Sequence, residues 1–264
     1  MFENLILSAV IVFIFGSCIG SFLNVCIFRI PEKKSVVFPG SFCPRCNITL
    51  PFYCNLPILS FIFLNGQCKF CRQPISIRYP LIEALTGVMA VALFIKFGLT
   101  WVTIFWFVFT SVLITISFID IDHQIIPDLI SLPGIIVSGT SFYFVPEMTL
   151  IKVIKGIALG GGMLYSVAAI YYLLKKQEGM GGGDIKLLAM IGAATGIKGV
   201  LFTVFTGSLF GTIGGLVAMF LSRHMDSKMK IPFGPFLSLG AILYVFFGDV
   251  LIMWYFSLLQ NQGG

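Results

Sequence analysis

Two short stretches of the chain carry acidic side chains whose placement could support proton-transfer chemistry. Residues 118–128 contain Asp120 and Asp122, and residues 179–186 place Asp184 directly after a run of glycines. Two carboxyl groups a few ångströms apart share one proton, because both cannot ionise at that distance. One can then take a proton from water while the other donates a proton to a carbonyl oxygen. The glycines would let an extended peptide backbone approach.

The same aspartates also have a purely structural interpretation. They could anchor helix ends at a membrane surface, and Asp184 stands where a helix N-cap is expected. Other hydrolytic chemistries are not indicated, because the chain lacks a His-Glu-x-x-His motif and a Gly-x-Ser-Gly motif. This pattern is compatible both with an aspartyl dyad and with a set of structural anchors.

Four of the seven cysteines form two Cys-x2-Cys pairs separated by 21 residues: Cys43, Cys46, Cys68 and Cys71. This spacing is close to that of zinc ribbons, and four thiolates complete a closed tetrahedral shell, so we predict a structural zinc ion. Two disulfides, a redox-active pair or unoccupied thiols are the alternatives. Cys54 is a spare thiol, while Cys18 and Cys26 have the position of small packing residues in an apolar helix.

The elements that must position these groups are membrane helices. Of the 264 residues, 58% are hydrophobic and 11% charged, with a mean hydropathy of +1.00. A soluble domain is about 25% charged, so the composition excludes a soluble globular enzyme and a disordered chain. A spanning helix needs about 20 mostly apolar residues. On that criterion we predict eight spans, at 4–28, 79–97, 97–119, 129–146, 156–174, 184–198, 199–222 and 231–248, and a short interfacial tail at 250–260.

The predicted fold is therefore an all-α polytopic membrane protein of about eight transmembrane helices with a small zinc-binding loop domain. Its parts are a first helix (1–28), a four-cysteine loop domain (29–78) and a transmembrane bundle (79–264). Eight spans put 13 of the 17 basic residues on one face, which the positive-inside rule makes cytoplasmic. The four-cysteine loop and both aspartate stretches then face the cytoplasm, and both termini lie outside. The formal net charge of +6 thus indicates cytoplasmic loops and a lipid bilayer, with no nucleic acid partner.

Further motifs run along nearly the whole chain: 20–25 (GSFLNV), 29–31 (RIP), 39–46 (PGSFCPRC), 55–57 (NLP), 77–80 (IRYP), 119–120 (ID), 126–128 (IPD) and 181–186 (GGGDIK). In combination they resemble the bacterial type IV prepilin peptidases, leader peptidase/N-methyltransferases of the Gly-x-Gly-Asp aspartyl class. The resemblance implies a catalytic pair of Asp120, seven positions before Pro127, and Asp184. It also matches the four paired cysteines to the zinc loop of that family.

The resemblance implies a reaction and a location as well. The family cleaves prepilin or pseudopilin substrates after a glycine, ahead of a hydrophobic stem, at the cytoplasmic face of the bacterial inner membrane. It then methylates the new N-terminus with S-adenosylmethionine. Such enzymes serve type IV pilus and protein secretion systems.

A methyl-donor site has little support in the residues themselves, because no Gly-x-Gly-x-x-Gly motif occurs. Asn24 and Glu83, polar residues that flank the loop, are our candidates for it. Alternatively, Asn24 forms a hydrogen bond between helices and Glu83 anchors Arg78. Two rival classes are a transmembrane thiol oxidoreductase and a transporter or channel with an aspartate ion site. A transport site would be expected near the membrane midplane, whereas both aspartates are predicted at helix ends.

Overall fold

The structure is a computed structural model that describes residues 2–177, 181–221 and 232–261. Its regular elements are helices. The four-cysteine loop also contains two isolated β-bridges. In chain order the regular elements are α1 (Phe2–Arg29), a 3-10 turn (Phe52–Asn55), α2 (Leu59–Phe63), α3 (Arg78–Phe97), α4 (Trp101–His123), α5 (Asp128–Gly139), α6 (Ser141–Phe144), α7 (Leu150–Lys175), α8 (Gly182–Leu221) and α9 (Gly234–Asn261).

Five helices in the described part of the chain are long and apolar enough to cross a membrane: Leu5–Arg29, Arg78–Phe97, Trp101–His123, Leu150–Lys175 and Gly182–Phe220. Two shorter apolar helices, Asp128–Phe144 and Gly234–Gly248, coincide with two further predicted spans. The structure confirms the prediction of an all-helical polytopic membrane protein. It does not confirm the predicted number of eight spans. The predicted interfacial tail at 250–260 continues α9 without a break.

The predicted spans 184–198 and 199–222 lie together in α8. Gly196 interrupts this helix with a φ of 68° and a ψ of −168°, so two helical segments meet there. Glycine reaches this backbone region without a steric cost because it has no Cβ atom. The bend therefore falls within two residues of the predicted boundary between 184–198 and 199–222.

The chain forms two compact units, Met1–Thr115 and Ile116–Gly264. In the first unit α1 packs against α3. The contact is close, since a Cβ atom on Gly20 would lie 2.8 Å from the Cα atom of Glu83. The predicted division at residues 28 and 78 stays a prediction.

In the second unit α8 is the central helix and packs against α5, α7 and α9. Gly156 and Gly160 form a Gly-x-x-x-Gly motif on α7, and a Cβ atom on Gly156 would overlap the carbonyl group of Gly192 on α8. Small residues at helix interfaces let backbones approach closely in membranes, where apolar burial offers little drive for association. This contact holds α8, the helix whose first turn contains Asp184.

Candidate active site

Asp120 lies in the last turn of α4 and is only 5% exposed. Its Oδ2 atom accepts a hydrogen bond of 2.9 Å from the backbone N–H of Gly234, the first residue of α9. A buried carboxyl group in a membrane protein is costly and marks a functional candidate. The hydrogen bond offsets part of that cost, because it satisfies one oxygen of the group.

Asp184 is the third residue of α8 and half-buried. Its carboxyl group lies near enough to Asp120 for the two charges to interact. Gly183, the residue before it, packs tightly, since a Cβ atom there would lie 2.7 Å from Cβ of Ile126. The structure thus brings the two sequence-predicted aspartates together at the ends of α4 and α8. It also gives Gly183 a packing role against Ile126.

The other two acidic residues of the stretch 118–128 have different environments. Asp122 is exposed, two residues beyond Asp120 on the same helix. Asp128 begins α5 and forms an ion pair with Lys186, so it ties α5 to the first turns of α8. His123 is exposed as well.

A carboxyl pair in this arrangement can perform acid–base hydrolysis. Two carboxyl groups close enough to repel each other can share a proton, and such a pair would offer both an acid and a base. The partly buried surroundings strengthen electrostatic interactions with a reacting amide. The arrangement supports cleavage of a peptide bond without a covalent enzyme intermediate.

Gly234 is the part of this site that the sequence analysis missed. It stands in the run Pro232-Phe-Gly-Pro235, directly before the last apolar helix. A glycine between prolines at a helix start indicates a constrained backbone, and this signal could have drawn attention to the segment. The link to Asp120 could not be read from it, because the two residues are 114 positions apart.

The four paired cysteines form one cluster in the first unit. Their sulfur atoms all lie within 4.8 Å of one another, with 3.8 Å between Sγ of Cys43 and Sγ of Cys71. All seven cysteines are free thiols. A tetrahedral zinc ion with Zn–S bonds of about 2.3 Å separates its sulfur ligands by about 3.8 Å. The four side chains therefore fit a tetrahedral metal ion, and Cys54 is outside the cluster.

The backbone repeats the same turn at both cysteine pairs. The N–H of Asn47 donates to the carbonyl of Cys43, and the N–H of Arg72 donates to that of Cys68. Each donor follows the second cysteine of its pair and has a φ of 55°. The backbone N–H groups of Cys71 and Phe70 lower the pKa of Cys68 to about 7. Such turns present two sulfur atoms to one ion.

A cavity of about 390 Å³ in the first unit includes both candidate residues for the methyl donor. Its wall combines Asn24 and Glu83 with the aromatic rings of Phe28, Phe61 and Tyr79. Glu83 is the one acidic side chain among the described lining residues. The volume lies within the range of small-molecule and cofactor pockets. The wall also carries three basic side chains, those of Arg29, Arg45 and Lys69.

Hydrogen bonds hold both candidate residues, Asn24 and Glu83, in this cavity. Oε2 of Glu83 accepts a bond of 2.7 Å from the N–H of Ile58, whose φ is 61°. Nδ2 of Asn24 donates to the carbonyl of Tyr79 at 3.1 Å, which links α1 to α3 as the structural alternative suggested. Arg29 organises the start of the loop, since it donates to the carbonyls of Ser35, Pro39 and Gly40.

The fold and the sites together describe a class: a polytopic helical membrane protein with two neighbouring aspartates at helix ends and a loop whose four cysteines fit a metal ion. Comparisons with known proteins agree. The family model "Bacterial Peptidase A24 N-terminal domain" matches residues 14–97, and the model "Type IV leader peptidase family" matches residues 107–216. The chain belongs to the type IV leader peptidase family.

Similar curated proteins carry the name prepilin leader peptidase/N-methyltransferase. The protein from Aeromonas salmonicida (strain A449) is 34% identical over 94% of this chain and 93% of the relative. The protein from Neisseria gonorrhoeae is 35% identical over 86% of each chain. The protein from Pseudomonas aeruginosa is 33% identical over 91% of this chain and 90% of its own. The comparison with solved structures found no match.

Proposed function

We propose that this protein is a prepilin leader peptidase and N-methyltransferase of the bacterial inner membrane. It cleaves the leader from prepilin or pseudopilin substrates after a glycine, and then methylates the new N-terminal amine with S-adenosylmethionine. The observation that carries the proposal is the pairing of Asp120 with Asp184 in a chain of the type IV leader peptidase family.

Asp120 and Asp184 are the catalytic residues in this proposal. One carboxylate takes a proton from the attacking water, and the other carboxyl group protonates the carbonyl oxygen of the scissile bond. Burial of Asp120 and exposure of Asp122 support the choice between these two residues. The ion pair between Asp128 and Lys186 holds the two motifs together.

The methyl donor occupies the 390 Å³ cavity of the first unit in this proposal. S-adenosylmethionine supplies an electrophilic methyl group. Glu83 offers a negative charge to a cationic ligand and a base for the proton that the substrate amine releases. Asn24 offers a polar contact from α1 to the same cavity.

A structural zinc ion bound by Cys43, Cys46, Cys68 and Cys71 stabilises the loop. Cys43 and Cys68 also line the cavity, so loss of the metal would disturb the wall of the methyl-donor site. A reducing cytoplasm keeps such thiols available for metal. The loop and the aspartate pair face the cytoplasm, and the termini face outside, as the distribution of basic residues predicts.

The test is a reaction of the purified protein with a prepilin and S-adenosylmethionine, followed by mass spectrometry of the product N-terminus. The proposal expects a product that begins directly after the glycine and carries one added methyl group. Asp120→Asn should give no product, while Asp122→Asn, the matched change two residues away, should cleave normally. Cleavage at another position, or none by the folded wild type, contradicts the proposal.

A further inference from the structure

The two carboxyl groups of the site are not equivalent, because a backbone donor contacts only one of them in the described part of the chain. Gly234 donates its N–H to Oδ2 of Asp120. The described hydrogen bonds of Asp184 include its backbone N–H to the carbonyl of Gly181 and none to its carboxyl group. Both groups lie near helix N-termini, yet among residues 2–177, 181–221 and 232–261 the helix donor found reaches Asp120 and not Asp184.

The donor is the first peptide N–H of α9. Phe236 and Leu237 both direct their N–H groups to the carbonyl of Phe233, and Pro235 has no N–H. The N–H of Gly234 therefore has no partner within its own helix, as expected for the first turn. Such orphan donors at the positive end of a helix dipole favour a negative charge.

From this contact we infer that Gly234 is a positioning residue that keeps Asp120 as the carboxylate of the pair and leaves the shared proton on Asp184. This assignment rests on the proposed peptidase function. A hydrogen bond to a charged acceptor is stronger than one to a neutral acceptor. The donor therefore selects which of two like groups carries the charge when they share a proton.

The assignment fixes the direction of each proton transfer. Asp120 takes a proton from water as the water oxygen bonds to the scissile carbonyl carbon, and Asp184 gives its proton to the carbonyl oxygen. In the tetrahedral diol that results, Asp120 returns its proton to the leaving nitrogen as the C–N bond breaks, and Asp184 recovers a proton from a diol hydroxyl. One water is consumed, and both carboxyl groups regain their first protonation states.

A side chain at this position would displace the carboxyl group of Asp120. A Cβ atom on Gly234 would lie 2.7 Å from Oδ2 and 3.3 Å from Cγ of Asp120. Alanine would therefore push the carboxyl group away from the N–H while it retains the peptide donor itself. Gly240 on the same helix is a matched control, because a Cβ atom there is equally crowded, at 2.6 Å from Oγ1 of Thr206.

The kinetic test compares Gly234→Ala with Gly240→Ala in the full-length protein. Gly234→Ala should lower kcat for prepilin cleavage by about 10²-fold, the size expected for a misplaced catalytic group, with KM unchanged. Gly240→Ala should keep kcat within a few-fold, even if its unfolding temperature falls. Equal losses in the two variants, or wild-type kcat in Gly234→Ala, would overturn the inference. Failure of the wild type to cleave prepilin would instead refute the proposed function.

A chemical test on the wild-type protein avoids any effect of substitution on folding. A small alkyl epoxide alkylates the ionised member of a carboxyl pair, while the protonated member donates its proton to the opening ring. Peptide mapping by mass spectrometry after treatment at neutral pH should locate the ester on Asp120. An ester on Asp184, or equal esters on both, contradicts the assignment.

Discussion

Asp120 and Asp122 carry the same side chain on the same helix, and their surroundings differ completely. Asp120 is buried and accepts the N–H of Gly234, whereas Asp122 is exposed. Positions two apart point in different directions on an α-helix, since one turn takes 3.6 residues. The environment of each group, more than its identity, decides which of them can join a dyad.

The dyad is testable by amide replacement. Asp120→Asn and Asp184→Asn should each reduce cleavage by about 10⁴-fold, the upper range of general acid–base effects, because neither residue alone supplies both an acid and a base. Asp122→Asn is the matched control and should retain activity. The assay is the rate of leader release from a purified prepilin.

The double variant gives a sharper result. If Asp120 and Asp184 act as one unit, Asp120→Asn combined with Asp184→Asn should be no worse than either single change. Additive losses would mean that the two residues act in separate steps. If Asp122→Asn loses cleavage activity while Asp120→Asn keeps it in full, the catalytic residue is Asp122 and not Asp120.

At the scale of elements, the two cysteine turns form a site that neither could form alone. Each turn presents two sulfur atoms, and the four sulfurs converge within 4.8 Å. A region with two β-bridges and short helices has little apolar core of its own, which is where a bound metal contributes most to folding.

Elemental analysis of the purified protein should find about one zinc per chain, as a tetrathiolate site requires. Cys46→Ser should lower that value, because it removes one ligand. Cys54→Ser should leave it unchanged and serves as the control for a nearby thiol outside the cluster. Iron in place of zinc, or no metal in freshly purified protein, would contradict the structural zinc site.

The contact between α7 and α8 is a second feature that depends on how two elements pack together. Gly156→Ala should destabilise the second unit by about 1–3 kcal/mol, the usual cost of overpacking, because the new methyl group overlaps the carbonyl of Gly192. Thermal unfolding in detergent measures the effect. Gly162→Ala on the same helix is the control, since nothing lies within 4 Å of its added Cβ atom. Equal stability of the two variants would refute the close contact.

For the whole molecule, the candidate sites fall in different compact units. The cavity with Glu83 and the cysteine cluster belong to Met1–Thr115, and the aspartate pair belongs to Ile116–Gly264. Methyl transfer needs a neutral amine and a positioned donor, whereas hydrolysis needs an activated water. The two reactions therefore make different demands, which separate sites can meet.

We expect single substitutions to separate the two activities. Glu83→Gln should weaken methylation and leave cleavage largely intact, because it removes the acidic group of the cavity. Asp184→Asn should block cleavage and still permit methylation of a pilin that was cleaved beforehand. The measurement is transfer of labelled methyl groups to intact and pre-cleaved substrate.

Pre-cleaved substrate is the essential control, since any peptidase variant lacks the free amine that methylation needs. If folded Asp184→Asn fails on this substrate, the two reactions share one site. If Glu83→Gln loses cleavage and methylation together, its role is structural support of the chain.

The orientation in the membrane is also testable. Because 13 of the 17 basic residues are predicted on one face, the four-cysteine loop should be cytoplasmic and both termini external. A reporter that is active only outside the cytoplasm should work at either terminus and fail within the loop at 29–78. Activity of the reporter in the loop would reverse the topology.

The sequence by itself determined the class of the molecule and predicted which side chains are its reactive groups. The composition predicted helices in a lipid bilayer, because so few charged residues cannot cover the surface of a soluble protein. The Cys-x2-Cys spacing indicated a four-sulfur cluster, since each pair needs only one local turn. The resemblance to the type IV prepilin peptidases implied Asp120 rather than Asp122, and this choice stays a prediction. These features depend on composition or on residues near one another in the chain, where local geometry is predictable.

Only the tertiary structure decided which distant groups meet. The bond from Gly234 to Asp120, the bond from Ile58 to Glu83 and the contact of Gly156 with Gly192 all join residues far apart in the chain. Uniformly apolar helices carry no strong periodic signal for the face that packs inward, so the sequence could not show these pairings. The break at Gly196 inside α8 likewise depends on backbone conformation. Close packing of small residues, which hydropathy does not register, brings the helix ends and their carboxyl groups together.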